Sequence, residues 1–444
     1  MTTRPPDDRS LRIAAAALAV GLAAFAWLTR DAVDVRLHAV AGIVCFTAIV
    51  AACSTNLRAV NWRTVGWGMA LQWLFALFIL ELRVGGVRPG YELFSRLASL
   101  AKRFLAFSGA GAQLVFGDLA NAETMGQVLP NGFIFAFTAL PTIIFISSFF
   151  TVLYHVGVLQ VVVEVLAKAM MYLMRTSGAE TLSAAANVFM GQTEAPIIVK
   201  PFVAEMTESE LFALMVGGLS TISGAVMGVY IGLGADPVAI LTTSVMAAPC
   251  GLYLSKIMLP ETGSPVTRGD ARIRVERRHV NVIDAAASGA SDGTLLAINV
   301  AAMLIAFLAF IAMIDYGLGL ANPDLSLARI FSWVFAPVAL LLGVPSADVP
   351  AMADLLGTKL VANEFVAYIK LTTEYRETLS PRSYVLATYA LTGFANLGSI
   401  GIILGGIGAL APTRRSDLAR LGVRALVAGF LATMINASIA SILM

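Results

Sequence analysis

Nine stretches of this chain are apolar for about the length that crosses a bilayer as a helix: 13–29, 37–53, 64–82, 133–154, 211–234, 237–259, 295–316, 383–409 and 425–443. In hydrocarbon every backbone polar group needs an internal partner, so only helices and closed barrels can span. The runs are continuous rather than alternating, which selects helices. The expectation is an all-α polytopic membrane protein, and a composition of 58% hydrophobic and 13% charged residues agrees with it. The first run, IAAAALAVGLAAFAWLT, exceeds a signal-peptide core and carries Trp27 near its end, as an interfacial anchor does. It reads as a retained span. A net charge of +2 gives no basis for nucleic-acid binding. Cys45, Cys53 and Cys250 have no metal-ligand spacing and read as small apolar fillers.

Arginine distribution orients the spans. Arg58 and Arg63 follow the second run, TRGDARIRVERRH follows residue 259, and Arg414, Arg415 and Arg420 precede the last run. All three loops can face the cytoplasm if the polar-interrupted stretches 158–200 and 325–370 each enter and leave on one side. The N-terminus is then cytoplasmic and the C-terminus periplasmic, with nine spans and two re-entrant hairpins. Stretch 90–118 carries Arg96, Lys102 and Arg103 at helical spacing and reads as an interfacial helix.

Within the first hairpin stretch lies NVFMGQTEAP, residues 187 to 196. A carboxylate at membrane depth needs protein or water around it and a partner. Pro196 has no N–H, favours a helix start and pushes Ala195 from helical angles. A helix therefore ends in NVFMGQTE and another begins at PIIVKPFV. The second stretch repeats the form: Glu194 and Lys200 enclose five residues, as do Glu364 and Lys370. Each is followed by an apolar span with a small-and-polar interruption, GGLSTISGAVMG at 217–228 and LTGFANLGSIG at 391–401. Paired broken helices in an inverted repeat point to a transporter site near the bilayer midplane. Asn396 and Ser399, three apart, share a helix face there.

GQTEAP, ANEFVAY and GFANLGSIGI, in this order and separation, resemble the concentrative nucleoside transporter family. The resemblance covers about 37–444 and includes RAVNWRTVGW, NVIDAAASGASDG and LGGIGALAPTRRSDLAR. It implies a cation-coupled symporter importing nucleosides such as uridine or adenosine by elevator-type alternating access. It implies a homotrimer in a bacterial inner membrane, each subunit having a scaffold and a mobile transport domain. The implied organisation is an extra span and loop at 1–36, scaffold-side spans and the interfacial helix at 37–132, and a first repeat at 133–260. A basic cytoplasmic loop at 261–294 and a second repeat at 295–444 complete it. By motif matching, Gln192, Thr193 and Glu194 meet the nucleobase, while Glu364, Asn396 and Ser399 bind the ribose hydroxyls. Val226, Leu296 and Phe394 line the apolar part. The side chains of Asn187 and Thr221, with the carbonyls of Met190 and Ile222, surround a sodium ion. Neutral oxygens suit such a cage, and neither Asn nor Thr titrates near neutral pH.

Three other classes bear on these residues. Proton coupling through Glu194 is the alternative to sodium. An intramembrane enzyme with Glu194 and Glu364 as an acid–base pair finds no further site residues: His38 and His155 lie at span ends, His279 lies in a basic loop, and all three read as interfacial. A passive channel would not concentrate its solute.

Overall fold

A computed structural model describes residues 8–121, 124–125, 134–268 and 279–444, and the fold is helical, with one isolated β-bridge between Val84 and Val87 among the described residues. The basic stretch after Arg268 falls largely outside the described residues.

The chain opens with α1 (Arg9–Leu28), α2 (Val35–Ala52) and α3 (Trp62–Leu80). α1 lies along α2, where the Cys45 thiol reaches the Ala19 carbonyl at 3.4 Å and the His38 ring meets the Thr29 hydroxyl at 2.9 Å. His38 is buried against α1, with this contact satisfying its Nε2. Cys45 and Cys250 are buried, but Cys53 is exposed at the end of α2. Only two of the three cysteines fill the interior. Deleting residues 1–30 is expected to leave the uptake that the family resemblance implies largely unchanged, since α1 supplies no residue to the cavity described below. Vesicle uptake by a truncated chain with a normal melting temperature checks this.

After α4 (Pro89–Phe116) comes α5 (Phe135–Val156), a long apolar helix, and then α6 (Val158–Met174). α6 buries Leu159, Val163, Ala167, Met170 and Met174 at helical spacing and exposes Val161, Val165 and Tyr172. It is thus an amphipathic helix in its own right. The turn-and-return expected over 158–200 is confined to α7 (Gly178–Ala186), α8 (Ala195–Ile198) and α9 (Lys200–Val203). The boundary is set at Ser177, whose capping box with Glu180 starts α7.

Next come α10 (Glu208–Ser220), α11 (Gly224–Leu233), α12 (Pro237–Met258) and α13 (Val282–Ala321). α10 and α12 are almost wholly buried and form the centre. α13 has 40 residues, or about 60 Å of helix, against ~30 Å of hydrocarbon. The expected loop at 261–294 is therefore shorter, because NVIDAAASGASDG folds into the first turns of α13. Gly289 and Gly293, four apart, let α13 approach α5 closely. A Cβ at Gly289 would stand 2.7 Å from the Ser148 Cα, and one at Gly293 2.8 Å from the Ile144 Cα.

The second half comprises α14 (Leu327–Val334), α15 (Ala336–Leu341), α16 (Val349–Val361), α17 (Glu364–Thr373), α18 (Pro381–Leu391), α19 (Leu397–Leu410) and α20 (Arg415–Leu443). The turn-and-return expected over 325–370 occupies 349–373, since α14 and α15 are separate short helices. Eight described segments are long and apolar enough to cross a membrane. The ninth expected run, 383–409, is divided into α18 and α19 by residues 392–396.

Candidate functional site

The first turn-and-return is anchored at its base by charge. Lys256 Nζ lies 2.6 Å from Glu180 Oε2 and donates to Ser209 Oγ at 2.8 Å, with all three side chains buried. The Ser177 hydroxyl donates to Glu210 Oε1 at 2.5 Å, which ties the start of α7 to the start of α10. From this base α7 climbs to Asn187, its C-cap. Pro196 then sits in the first turn of α8, as its missing N–H permits.

Asn187 is fully buried, and neither its Oδ1 nor its Nδ2 has a hydrogen-bond partner. It abuts α10 at Gly217, where an added Cβ would lie 3.0 Å from Nδ2. The carbonyl of the same glycine accepts the Thr221 hydroxyl at 2.9 Å. Among the described residues, the carbonyls of Met190 and Ile222 accept no backbone amide. An orphaned buried amide beside a broken helix end, whose neutral oxygen is left to accept a ligand, fits a hard monovalent cation.

The second break is tighter. Asn363 Oδ1 accepts the Val366 amide at 2.8 Å and so caps α17, which places Glu364 in the first turn at the favourable dipole end. Both carboxylate oxygens of Glu364 are engaged. The Tyr230 hydroxyl donates to Oε1 at 3.1 Å and Asn396 Nδ2 donates to Oε2 at 2.8 Å. Asn396 has a second task, since its Oδ1 accepts the Ser399 amide at 2.8 Å and caps α19. One side chain thereby fixes both a helix start and the carboxylate.

Gln192, Thr193, Glu194, Val226, Leu296, Glu364, Phe394, Asn396 and Ser399 all line one cavity. The first turn-and-return meets the second broken helix across it, where Gln192 Nε2 approaches Ser399 Oγ of α19 at 3.4 Å. Gln192 Oε1 is buried and unpartnered, so it is free to accept from a ligand. Glu194 is exposed to the cavity and accepts the Gly191 amide at 3.0 Å. It also borders a second cavity, with Asp292 and His279. Thr193 turns its methyl against α19, where a Cβ on Gly406 would lie 2.7 Å from Thr193 Cγ2. The apolar wall includes Met303 and Phe307 of α13.

The two broken helices cross at Gly393. The Phe394 amide donates to the Thr221 carbonyl at 3.1 Å. Gly393 has φ of 152°, and an added Cβ would stand 2.6 Å from Thr433 Cγ2 and 3.2 Å from the Leu219 carbonyl oxygen. Gly393→Ala is expected to destabilise the protein by about 1–3 kcal/mol through strain and overpacking. A melting temperature equal to wild type would show that the crossing can relax.

Tyr230, Lys359, Met303 and Phe307 were not singled out by sequence. Tyr230 had a signal, because it follows Val226 by four residues on one helix face. Lys359 had another, a charge inside an apolar stretch. The repeated lysines behave differently from each other. Lys370 pairs with buried Asp354, whereas Lys200 is exposed.

Three family models match the chain. Residues 41–119 match the Na+ dependent nucleoside transporter N-terminus, 136–237 a gate described as nucleoside recognition, and 239–441 the Na+ dependent nucleoside transporter C-terminus. Mouse sodium/nucleoside cotransporter 1 is 39% identical over 96% of the chain, which spans 67% of that relative. An uncharacterized transporter of Haemophilus influenzae is 41% identical over 91% of the chain and 97% of its own length. The solved structure of CNTnw in an inward-facing substrate-bound state superposes with a TM-score of 0.87 at 40% identity, covering 92% of this chain and 98% of that one. A doubly substituted CNTnw in an outward-facing state has a TM-score of 0.87 at 39% identity over the same shares.

Proposed function

The chain belongs to the sodium-dependent nucleoside transporter family, and from that premise we propose how its cavity works. Sodium-coupled nucleoside symport is the activity of such a chain, which removes the acid–base enzyme from consideration. The finer proposal is that Glu364, Asn396 and Ser399 bind the ribose hydroxyls, while Gln192, Thr193 and Glu194 face the nucleobase. Val226, Leu296 and Phe394 cover the apolar surfaces. The observation that carries it is the Glu364 carboxylate, held by Tyr230 and Asn396 at the rim of a helix break with its remaining lone pairs toward the cavity. An ionised carboxylate accepts from two hydroxyls at once. A sugar lacking one hydroxyl leaves an acceptor unpaired, at a cost of about 1–3 kcal/mol.

Thr193 enters this scheme with a reduced role. Its methyl packs on Gly406, so its hydroxyl alone is available to the base. Sodium is proposed to bind beside Asn187 and Thr221 with the carbonyls of Met190 and Ile222, supported by the orphaned Asn187 amide. Proton coupling is the second reading. It is favoured by Glu194, which is open to the cavity and to a second one holding Asp292 and His279.

Elevator-type movement of the two turn-and-returns as one body, re-entrant from opposite faces, is part of the same proposal. So are a homotrimer, a bacterial inner membrane, a cytoplasmic N-terminus and a periplasmic C-terminus. Almost wholly buried α10–α12 against largely exposed α1 and α13 is the contrast expected of a packed mobile unit within a lipid-facing frame. Uptake of labelled uridine and adenosine into proteoliposomes under imposed sodium or proton gradients tests the function. Accumulation driven by sodium at fixed pH supports it. Accumulation driven only by a proton gradient transfers coupling to Glu194, and equilibration without accumulation reduces the protein to a passive pore.

A further inference from the structure

The broken helices of the two repeats end alike. The Thr221 hydroxyl donates back to the Gly217 carbonyl at 2.9 Å, and the Thr392 hydroxyl donates back to the Thr388 carbonyl at 2.7 Å. Each threonine terminates its helix, and a polar cap restarts the chain, Ser223 for α11 and Asn396 for α19. At the first end Asn187 stands with both amide atoms unpartnered. At the second end the protein supplies its own donors. The Tyr368 hydroxyl lies 2.7 Å from the Thr392 hydroxyl and donates to the Thr388 carbonyl at 2.9 Å. Lys359, three residues before the Ala362 C-cap of α16, is fully buried. Its Nζ donates to the Ala390 carbonyl at 2.7 Å and to the Thr433 hydroxyl at 2.9 Å. The Phe430 ring lies beside the same nitrogen at 5.4 Å, within cation–π range. Glu364, across the break, is the carboxylate within its electrostatic reach.

Two neutral oxygens, an aromatic face and a nearby carboxylate form a cation's environment. Lys359 fills it with an amine nitrogen that cannot leave. From this geometry we infer that the Lys359 ammonium is a tethered cation standing at the second repeat's broken helix end, where the first repeat takes sodium. The chain then carries one sodium ion per nucleoside. The inference rests on the sodium position proposed beside Asn187. It also accounts for a wholly buried lysine whose charge would otherwise be an unexplained desolvation cost.

The test counts ions. Equilibrium binding of radioactive sodium to the purified chain with saturating uridine is expected to give one ion per chain, falling to none in Asn187→Ala. Two ions per chain in wild type would overturn the tethered cation and leave the Asn187 site standing. No ion in wild type would remove the sodium position itself. Lys359→Ala vacates the oxygens of Ala390 and Thr433 and is expected to bind two sodium ions, with the charge moved per uridine doubling in voltage-clamped vesicles. Lys359→Arg, which keeps the charge, is expected to stay at one. A folded Lys359→Ala that still binds one ion overturns the inference. Lys359→Ser, with a small hydroxyl in place of the amine, carries the same count should the alanine variant fail to fold.

Discussion

Glu364→Gln is expected to lower uridine uptake at least ~100-fold while leaving the protein folded. The isostere can be accommodated. Its carbonyl oxygen can accept from Asn396 Nδ2, and its amide can donate to the Tyr230 hydroxyl, which accepts as readily as it donates. Tyr230 is further held by stacking on Tyr368, with centroids 4.0 Å apart. The negative charge and the spare lone pairs facing the cavity are lost. Two charge-assisted hydrogen bonds at about 1.5 kcal/mol each amount to ~3 kcal/mol, and each 1.4 kcal/mol is about tenfold. Uptake and melting temperature of the purified variant, measured together, check this. Uptake within a factor of about two of wild type would remove Glu364 from the ribose site.

The second large effect belongs to Asn187. A buried, unpartnered amide costs about 1–3 kcal/mol when nothing binds it. Asn187→Ala is therefore expected to leave the melting temperature in sodium-free choline buffer unchanged or slightly raised. Wild type should be stabilised by sodium through mass action, by about 2.7 kcal/mol at a hundredfold excess over Kd. The variant should lose that increment and, with it, concentrative uptake. Thr221→Ala should act in the same direction but less strongly, because its hydroxyl already has a partner in the Gly217 carbonyl. A variant that melts lower in both buffers yet keeps the full sodium increment would show that Asn187 is structural and that sodium binds elsewhere.

Both experiments separate a ligand role from a packing role, which the static arrangement of a transport site does not do alone. The anchor of the first turn-and-return is a useful contrast. Lys256 pairs with Glu180 and donates to Ser209, Glu210 accepts from Ser177, and all of them lie outside the cavity lining. Their charges tie helices together, whereas Asn187 and Gln192 keep polar atoms in reserve.

The sequence by itself determined the helical membrane class, because runs of this length leave hydrocarbon no other backbone solution. It also determined where helices break. Pro196 and the Gly393–Asn396 interruption act within a few residues, through missing donors, positive φ and side-chain caps. The nine cavity residues were named by motif, and their types already stated the chemistry. Only the tertiary structure decided what stands behind them. Tyr230 reaches Glu364 from 134 residues away and Lys359 reaches Thr433 across 74, and no local periodicity encodes such pairs. The limits of the turn-and-returns had local marks that hydropathy alone passes over, the Ser177 capping box before α7 and the prolines Pro337 and Pro350 in the first turns of α15 and α16. Local rules set where the backbone must break, and burial against distant helices chose which polar groups the breaks would face.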